Sequence, residues 1–264
     1  MNNKISRFSR FLQHTYCTRS RFDLHSPFVY KLYKEILQDK TIFFEYKKVE
    51  NVRSAMLNHT GFIRMNDLGS KSTDIRWSKK VVRTRNVARH SAVSPRYGQF
   101  LFRLARHFRP EVILELGTSL GISTSYLAAG NPESSVVTVE GCPETADFAR
   151  RNFEYLGLKN IRQIIGNFDD VLPGLLSETG KMKMFFIDGN HRKGPTLKYF
   201  SQILEYIEDD SVLILDDIHW SKDMEEAWEE IRNHPSVKVT IDIFRMGLVF
   251  FSERLSKEDF ILRF

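Results

Sequence analysis

From Pro110 onward, short runs of β-branched and large apolar residues alternate with segments whose apolar positions recur every three or four residues. The runs Val112–Leu116, Ser135–Glu140, Ile161–Ile165, Met184–Asp188 and Val212–Asp216 predict strands, and helices are predicted between them from about Gly121, Pro143, Asp169 and Thr196. Strands separated by helices favour a parallel sheet covered on both faces. After the fifth run, Trp220, Met224, Ala227, Trp228 and Ile231 fall on one face of a further helix. Two closing strands follow, Val237–Ile243 and Gly247–Ser252. Only Phe244, Arg245 and Met246 connect them, too few residues for a crossover helix, so this pair is expected to be an antiparallel hairpin.

The pattern changes before residue 91. Phe28, Val29, Leu32 and Ile36 share a helical face, and Ser26-Pro27 is a cap followed by proline in the first turn, so residues up to about Asn58 read as two or three helices. The polar stretch Gly61 to Thr73, which includes Met65 to Ser72, reads as a loop or a short strand and turn. Pro95 then opens a helix with Phe100, Leu101, Leu104, Ala105 and Phe108 on one face. The expected architecture is α/β: a Rossmann-like seven-stranded, mostly parallel sheet with a C-terminal antiparallel hairpin over residues 91–264, preceded by a mainly helical segment, residues 1–90.

Charge separates the two parts further. Residues 1–110 hold 23 Lys and Arg against 7 Asp and Glu, a net +16, whereas the remainder holds 16 against 26, a net −10. A basic segment fits nucleic acid, a membrane surface, an acidic substrate or an acidic partner domain. Docking on its own acidic domain is favoured, because no nucleic-acid module is recognisable. Phe8, Phe11 and Leu12 lie among Lys4, Arg7, Arg10, Arg19 and Arg21 without the apolar run of a leader, and no stretch approaches the roughly 18 residues of a membrane span. Cys17 and Cys142 are too few for a disulfide framework or a zinc site. A soluble, cytoplasmic protein is expected.

The chemistry centres on Glu115-Leu116-Gly117-Thr118-Ser119-Leu120-Gly121, an E-x-G-x-x-x-G turn between a buried strand and a helix. Glycines let backbone approach a ligand where a Cβ would collide, and the helix N-terminus offers unpaired N–H groups. The spacing is neither the G-x-G-x-x-G of pyrophosphate sites nor a P-loop. An ordinary tight turn would carry the same glycines, but Glu140, ending the next strand, is placed to accept both ribose hydroxyls of a nucleoside. After the third strand, Gly166-Asn167-Phe168-Asp169 offers Asn167 and Phe168 as a polar reader and an apolar wall. Asp188 after the fourth strand and Asp216 and Asp217 after the fifth put three carboxylates at strand carboxyl ends. Such acids either share a cation of the Mg²⁺, Ca²⁺ or Mn²⁺ kind or cap helices.

The turn resembles motif I of the class I S-adenosylmethionine-dependent methyltransferases. From about Ser94 to Ser252 the chain is similar to the catechol and caffeoyl-coenzyme A O-methyltransferase branch and its bacterial relatives, through Pro95 to Leu101, Glu115 to Thr124, Glu140, Asp188-Gly189-Asn190-His191 and Asp216-Asp217. The resemblance implies S-adenosyl-L-methionine held by Glu115, Gly117, Thr118, Ser119, Gly121, Ser123, Glu140, Gly141, Asn167, Phe168 and Asp188. It implies a divalent metal on Asp188, Asp216 and Asp217, although Asp217 stands where the branch has Asn. It also implies a base three residues after Asp188, where His191 replaces the branch's Lys, with Asp188 beside it. Histidine suits proton transfer near neutral pH.

The expected function is O-methylation of a small hydroxylated substrate, with the aromatic N-terminal residues Phe11, Tyr16, Phe22, Phe28 and Tyr30 as a lid. The alternatives are a methyltransferase acting on RNA or protein through the basic segment, and a ligand-binding relative without transfer. A small molecule is the expected partner; nucleic acid is the disfavoured alternative, and a homodimer is compatible with the sequence.

Overall fold

The computed structural model describes residues 10–12, 14–18, 24–66 and 79–264. Phe22, Arg19, Arg21, the residues before Arg10 and, of the stretch Gly61 to Thr73, residues 67–73 lie outside the described residues. The chain divides into two compact units, Lys40–Leu175 and the pairing of Met1–Asp39 with Leu176–Phe264.

In the unit Lys40–Leu175, the helix Phe44–Leu57 is followed by an antiparallel hairpin, β1 (Phe62–Asn66) and β2 (Lys79–Arg83), and the short helix Thr84–His90. The helix Pro95–Phe108 then leads into β3 (Val112–Leu116), the helix Ile122–Gly130, β4 (Ser135–Glu140), the helix Pro143–Leu156 and β5 (Ile161–Ile165). These three strands are parallel neighbours, with Leu116 opposite Val139 and Glu140 opposite Ile165, so their carboxyl ends share one edge. Phe100, Leu101, Leu104 and Ala105 are fully buried on the face that their spacing predicts. Two glycines set how closely their helix approaches Ile122–Gly130. A Cβ on Gly98 would lie 2.4 Å from the Tyr126 ring, and one on Gly130 would lie 2.4 Å from the Phe102 carbonyl oxygen. Residues before position 91 contribute core to this unit: Ile63, Val87 and Ala88 form one buried cluster with Leu120 and Cys142.

In the other unit, residues 10–12 and 14–17 are helical. The helix Pro27–Leu32 begins as predicted, with Val29 N–H donating to the Ser26 hydroxyl, and continues through a π-helical turn, Tyr33–Leu37. Its apolar face is buried at Val29, Leu32 and Ile36, and the Phe28 ring meets Phe250 edge-on at 4.9 Å. β6 (Met182–Ile187), the helix Lys193–Ile203, β7 (Ile207–Leu215), the helix Lys222–Asn233, β8 (Val239–Asp242), β9 (Gly247–Phe250) and β10 (Glu258–Ile261) complete it. β6 and β7 are parallel, while β9 is antiparallel to both β7 and β8, the expected hairpin.

Two expectations change. Eight strands, rather than seven, follow Pro110 among the described residues, because β10 adds parallel to β8. Only Phe260 of that four-residue strand is buried, too little alternation to recognise in sequence. Trp220 is 49% exposed and precedes its helix, since Ser221 is the cap, accepting from the Met224 N–H; Met224, Ala227, Trp228 and Ile231 are the buried face. Among the described residues no helix is long and apolar enough to cross a membrane.

Candidate functional site

The glycine turn is built from positive-φ residues. Gly117 has φ 112°, Ser119 48° and Gly121 80°. The first is far from where a side chain is comfortable, which explains glycine there. Gly117 and Thr118 donate their N–H groups to Val139 O at 3.0 and 3.2 Å, fastening the turn to the end of β4. Gly121 is excluded from substitution by packing as well, because a Cβ would meet the Phe153 ring at 2.4 Å.

Glu140 closes the same edge. Its Oε2 accepts the Ser119 N–H at 2.8 Å and its Oε1 the Cys142 N–H at 2.9 Å. Burial raises its pKa, and the backbone donors from Cys142 and Ser119 oppose that rise. A carboxylate has about four acceptor positions, so two backbone bonds leave capacity for a ligand's hydroxyls.

Glu115 lies deeper, with no exposed surface. Its Oε2 accepts from Thr124 at 2.5 Å and Thr138 at 2.6 Å, while Oε1 has no hydrogen-bond partner among the described residues. Burial raises the Glu115 pKa, and the Ser123, Thr124 and Thr138 hydroxyls oppose that rise. Asn167 starts the helix Phe168–Thr179 and its Oδ1 accepts the Asp169 N–H at 3.1 Å; the Phe168 ring is half-buried beside it. Thus Gly117, Thr118, Ser119, Gly121, Ser123, Glu140, Gly141, Asn167 and Phe168 all follow the carboxyl ends of three adjacent parallel strands of one unit. The Glu115 carboxylate, the remaining capacity of Glu140 and the side-chain-free Gly117 suit a ligand that carries an ammonium and a ribose.

In the other unit, the β6–β7 pairing sets Ile187 opposite Leu215, which brings Asp188 beside Asp216 and Asp217. His191 Nε2 lies 3.6 Å from Asp188 Oδ1. The cation that answers these acids is Arg245, in the hairpin connection that the sequence reading used only for its length. Its Nε donates to Asp216 Oδ1 at 2.9 Å and its Nη2 to Oδ2 at 2.7 Å, and Nε lies 3.8 Å from Asp217 Oδ1. Burial disfavours the charged guanidinium, but Asp216, Asp217 and Asp188 outweigh it and raise the Arg245 pKa. A divalent ion needs several oxygens converging on one point. Asp216 is spent on Arg245, and no group of three or more His, Cys, Asp or Glu among the described residues has metal-binding geometry. The residues do not fit the implied ion.

Sequence reasoning also missed a second cluster. Asp242, at the end of β8, lies 2.9 Å from His14 Nε2 and 2.8 Å from His219 Nε2, and the Phe244 ring stacks on His219 with centroids 5.4 Å apart. His219 Nδ1 lies 3.2 Å from Glu225, which Arg10 approaches at 3.0 Å. The only sequence signal was a polar residue ending an otherwise apolar strand.

The fold and the glycine turn resemble those of the class I, S-adenosylmethionine-dependent methyltransferases. Residues 114–218 match the family model described as a methyltransferase domain. The catechol O-methyltransferase of Niastella koreensis is 35% identical over 130 residues, which cover 48% of this chain and 58% of that protein, so the chain spans less than two thirds of that relative's length. Among solved structures, cofactor-bound Rv0187 from MTB matches with a TM-score of 0.55 at 26% identity, covering 62% of this chain and 83% of that one. The SAH-bound Podospora anserina methyltransferase PaMTH1 shares the fold, with a TM-score of 0.60 at 15% identity over 87% of this chain and 97% of its own.

Proposed function

We propose that the chain is an S-adenosylmethionine-dependent O-methyltransferase acting on a small hydroxylated molecule. The observation that carries this reading is the Glu140 carboxylate, held by the Ser119 N–H of the glycine turn at the shared end of β3 and β4. In this reading Glu140 accepts the ribose hydroxyls, the backbone of Gly117 to Gly121 lies against the ligand, and Asn167 and Phe168 bracket the base. Bound S-adenosylmethionine supplies an electrophilic methyl group on a sulfonium. The chain's own contribution is orientation, since in-line displacement depends mainly on holding an oxygen on line with the methyl carbon. His191, with Asp188 3.6 Å away, takes the hydroxyl proton. Support for the hydroxyl class comes from the catechol O-methyltransferase of N. koreensis, similar over half of this chain.

The test is incubation of the protein with a methyl-labelled donor and a panel of catechols, phenols and aliphatic alcohols, with RNA in parallel and products identified by mass spectrometry. Label on a hydroxyl oxygen is the expected result. Donor binding without transfer to any hydroxylated molecule, or transfer to RNA alone, overturns the reading.

A further inference from the structure

We propose that Arg245 is a positioning residue that takes the place of a divalent metal among Asp188, Asp216 and Asp217, so that the chain works without a bound ion at these acids. The proposal rests on the O-methyltransferase reading, in that it concerns the acids whose counterpart in the resembling branch holds the metal.

Three observations carry it. First, the guanidinium meets Asp216 as a planar fork, with two N–H groups on two oxygens at 2.9 and 2.7 Å, the strongest geometry available to this pair. The Asp216 side chain is fully buried, so no outer face of that carboxylate is open to an ion. Second, the arginine is built in at the backbone. Ile218 N–H donates to Arg245 O at 3.2 Å, which ties the hairpin connection to the residue next to Asp217. Phe244, at φ 70°, is held by its N–H on Asp242 Oδ1 at 2.8 Å, and Arg245 N–H donates to Ile243 O at 3.0 Å. A loop tied at each residue does not swing its arginine away at small cost. Third, the charge is set by sequence: Asp217 adds a carboxylate where the branch has a neutral amide, and 3.8 Å from Arg245 Nε it strengthens the hold on a fixed cation. A dication brought against Asp188 and Asp217 would face that guanidinium at close range.

Arg245 therefore neutralises part of the acidic cluster permanently and keeps Asp216 and Asp217 in place, with no exchangeable ion. The Arg245 side chain is 20% exposed, so its field also reaches the surface.

The experiment is titration with Mn²⁺, followed by electron paramagnetic resonance, of the full chain and of the variants Arg245→Gln and Arg245→Lys, together with methyl transfer with and without a chelator and calorimetric binding of S-adenosylhomocysteine. Wild type is expected to take up no stoichiometric Mn²⁺ and to turn over equally with chelator present. Arg245→Gln is expected to gain a Mn²⁺ site and to lose transfer on the order of 10-fold or more, with cofactor affinity unchanged, and Arg245→Lys to recover part of the rate, since the loss is of an oriented charge. One Mn²⁺ bound by wild type and lost in Asp216→Asn, or full transfer by a folded Arg245→Gln, overturns the proposal. If no acceptor is found, the O-methyltransferase reading fails on its own, and the Mn²⁺ titration of wild type still decides this one.

Discussion

His14 and Asp242, 228 positions apart, are joined by a 2.9 Å hydrogen bond between Nε2 and Oδ1, both side chains being almost fully buried. An ionised carboxylate only accepts, so the proton of His14 sits on Nε2. His219 is bound more tightly still. Both of its ring nitrogens face carboxylates, Asp242 and Glu225, an arrangement that favours the imidazolium, which donates from both. The clasp fastens the helical residues 14–17 to the loop that carries Arg245.

This clasp predicts a pH dependence. Burial disfavours the charged His219 ring, but Asp242 and Glu225 outweigh it and raise its pKa above the ordinary value near 6.5. Stability from this group is therefore full below about pH 6.5 and is lost as pH rises through the raised value. Burial alone would raise the Asp242 pKa, yet its bonds to His14 and His219 leave it strongly depressed, so that contribution is present above about pH 4 and lost in stronger acid. The wild-type Tm should fall between pH 6 and pH 9 by more than that of His219→Gln. Parallel curves would refute the charged clasp.

For the cofactor cradle, Glu140→Gln is the informative variant. Alanine would leave the Ser119 and Cys142 N–H groups without acceptors, at roughly 1–3 kcal/mol, and confound binding with folding. Glutamine keeps the shape and one acceptor but turns its amide NH2 to the other backbone N–H, so it should cost less stability than alanine while S-adenosylmethionine binding weakens about 10-fold, the scale of a lost charge-assisted contact. Calorimetry showing unchanged affinity would remove Glu140 from the cradle.

Gly121→Ala should destabilise the fold by about 2–4 kcal/mol, combining strain at positive φ with overpacking. Its new methyl would enter the Phe153 ring, 2.4 Å away, and crowd Ala149 at 3.1 Å. Phe153→Ala in the same chain should relieve part of that loss; additive Tm changes for the pair would show that the ring is not the obstacle.

Deletion of residues 1–90 should yield insoluble protein. The deletion removes Ile63, Val87 and Ala88 from the cluster that covers Leu120 of the glycine turn, and Val29, Leu32 and Ile36 from the core of the other unit. A soluble 91–264 fragment with wild-type cofactor affinity would show that these contacts are dispensable.

The order of strands and helices after Pro110 was legible in the chain because periodicity is a local property: the six residues of β4 or the fourteen of Pro95–Phe108 carry their own burial pattern. The glycine turn was legible for the same reason, since backbone conformation at Gly117 and Gly121 depends on what those residues lack. The edge strand β10 escaped because four residues with one buried side chain hold too little pattern. What only the tertiary structure decided is how charges pair. The spacing of Asp188, Asp216 and Asp217 was plain, but nothing local links Asp216 to Arg245, 29 positions on, or His14 to Asp242. An acid at a strand end reads alike whether a metal, an arginine or a histidine completes it. The strand pairing and the tied hairpin bring the partner, because electrostatic energy depends on distance in space and not along the chain.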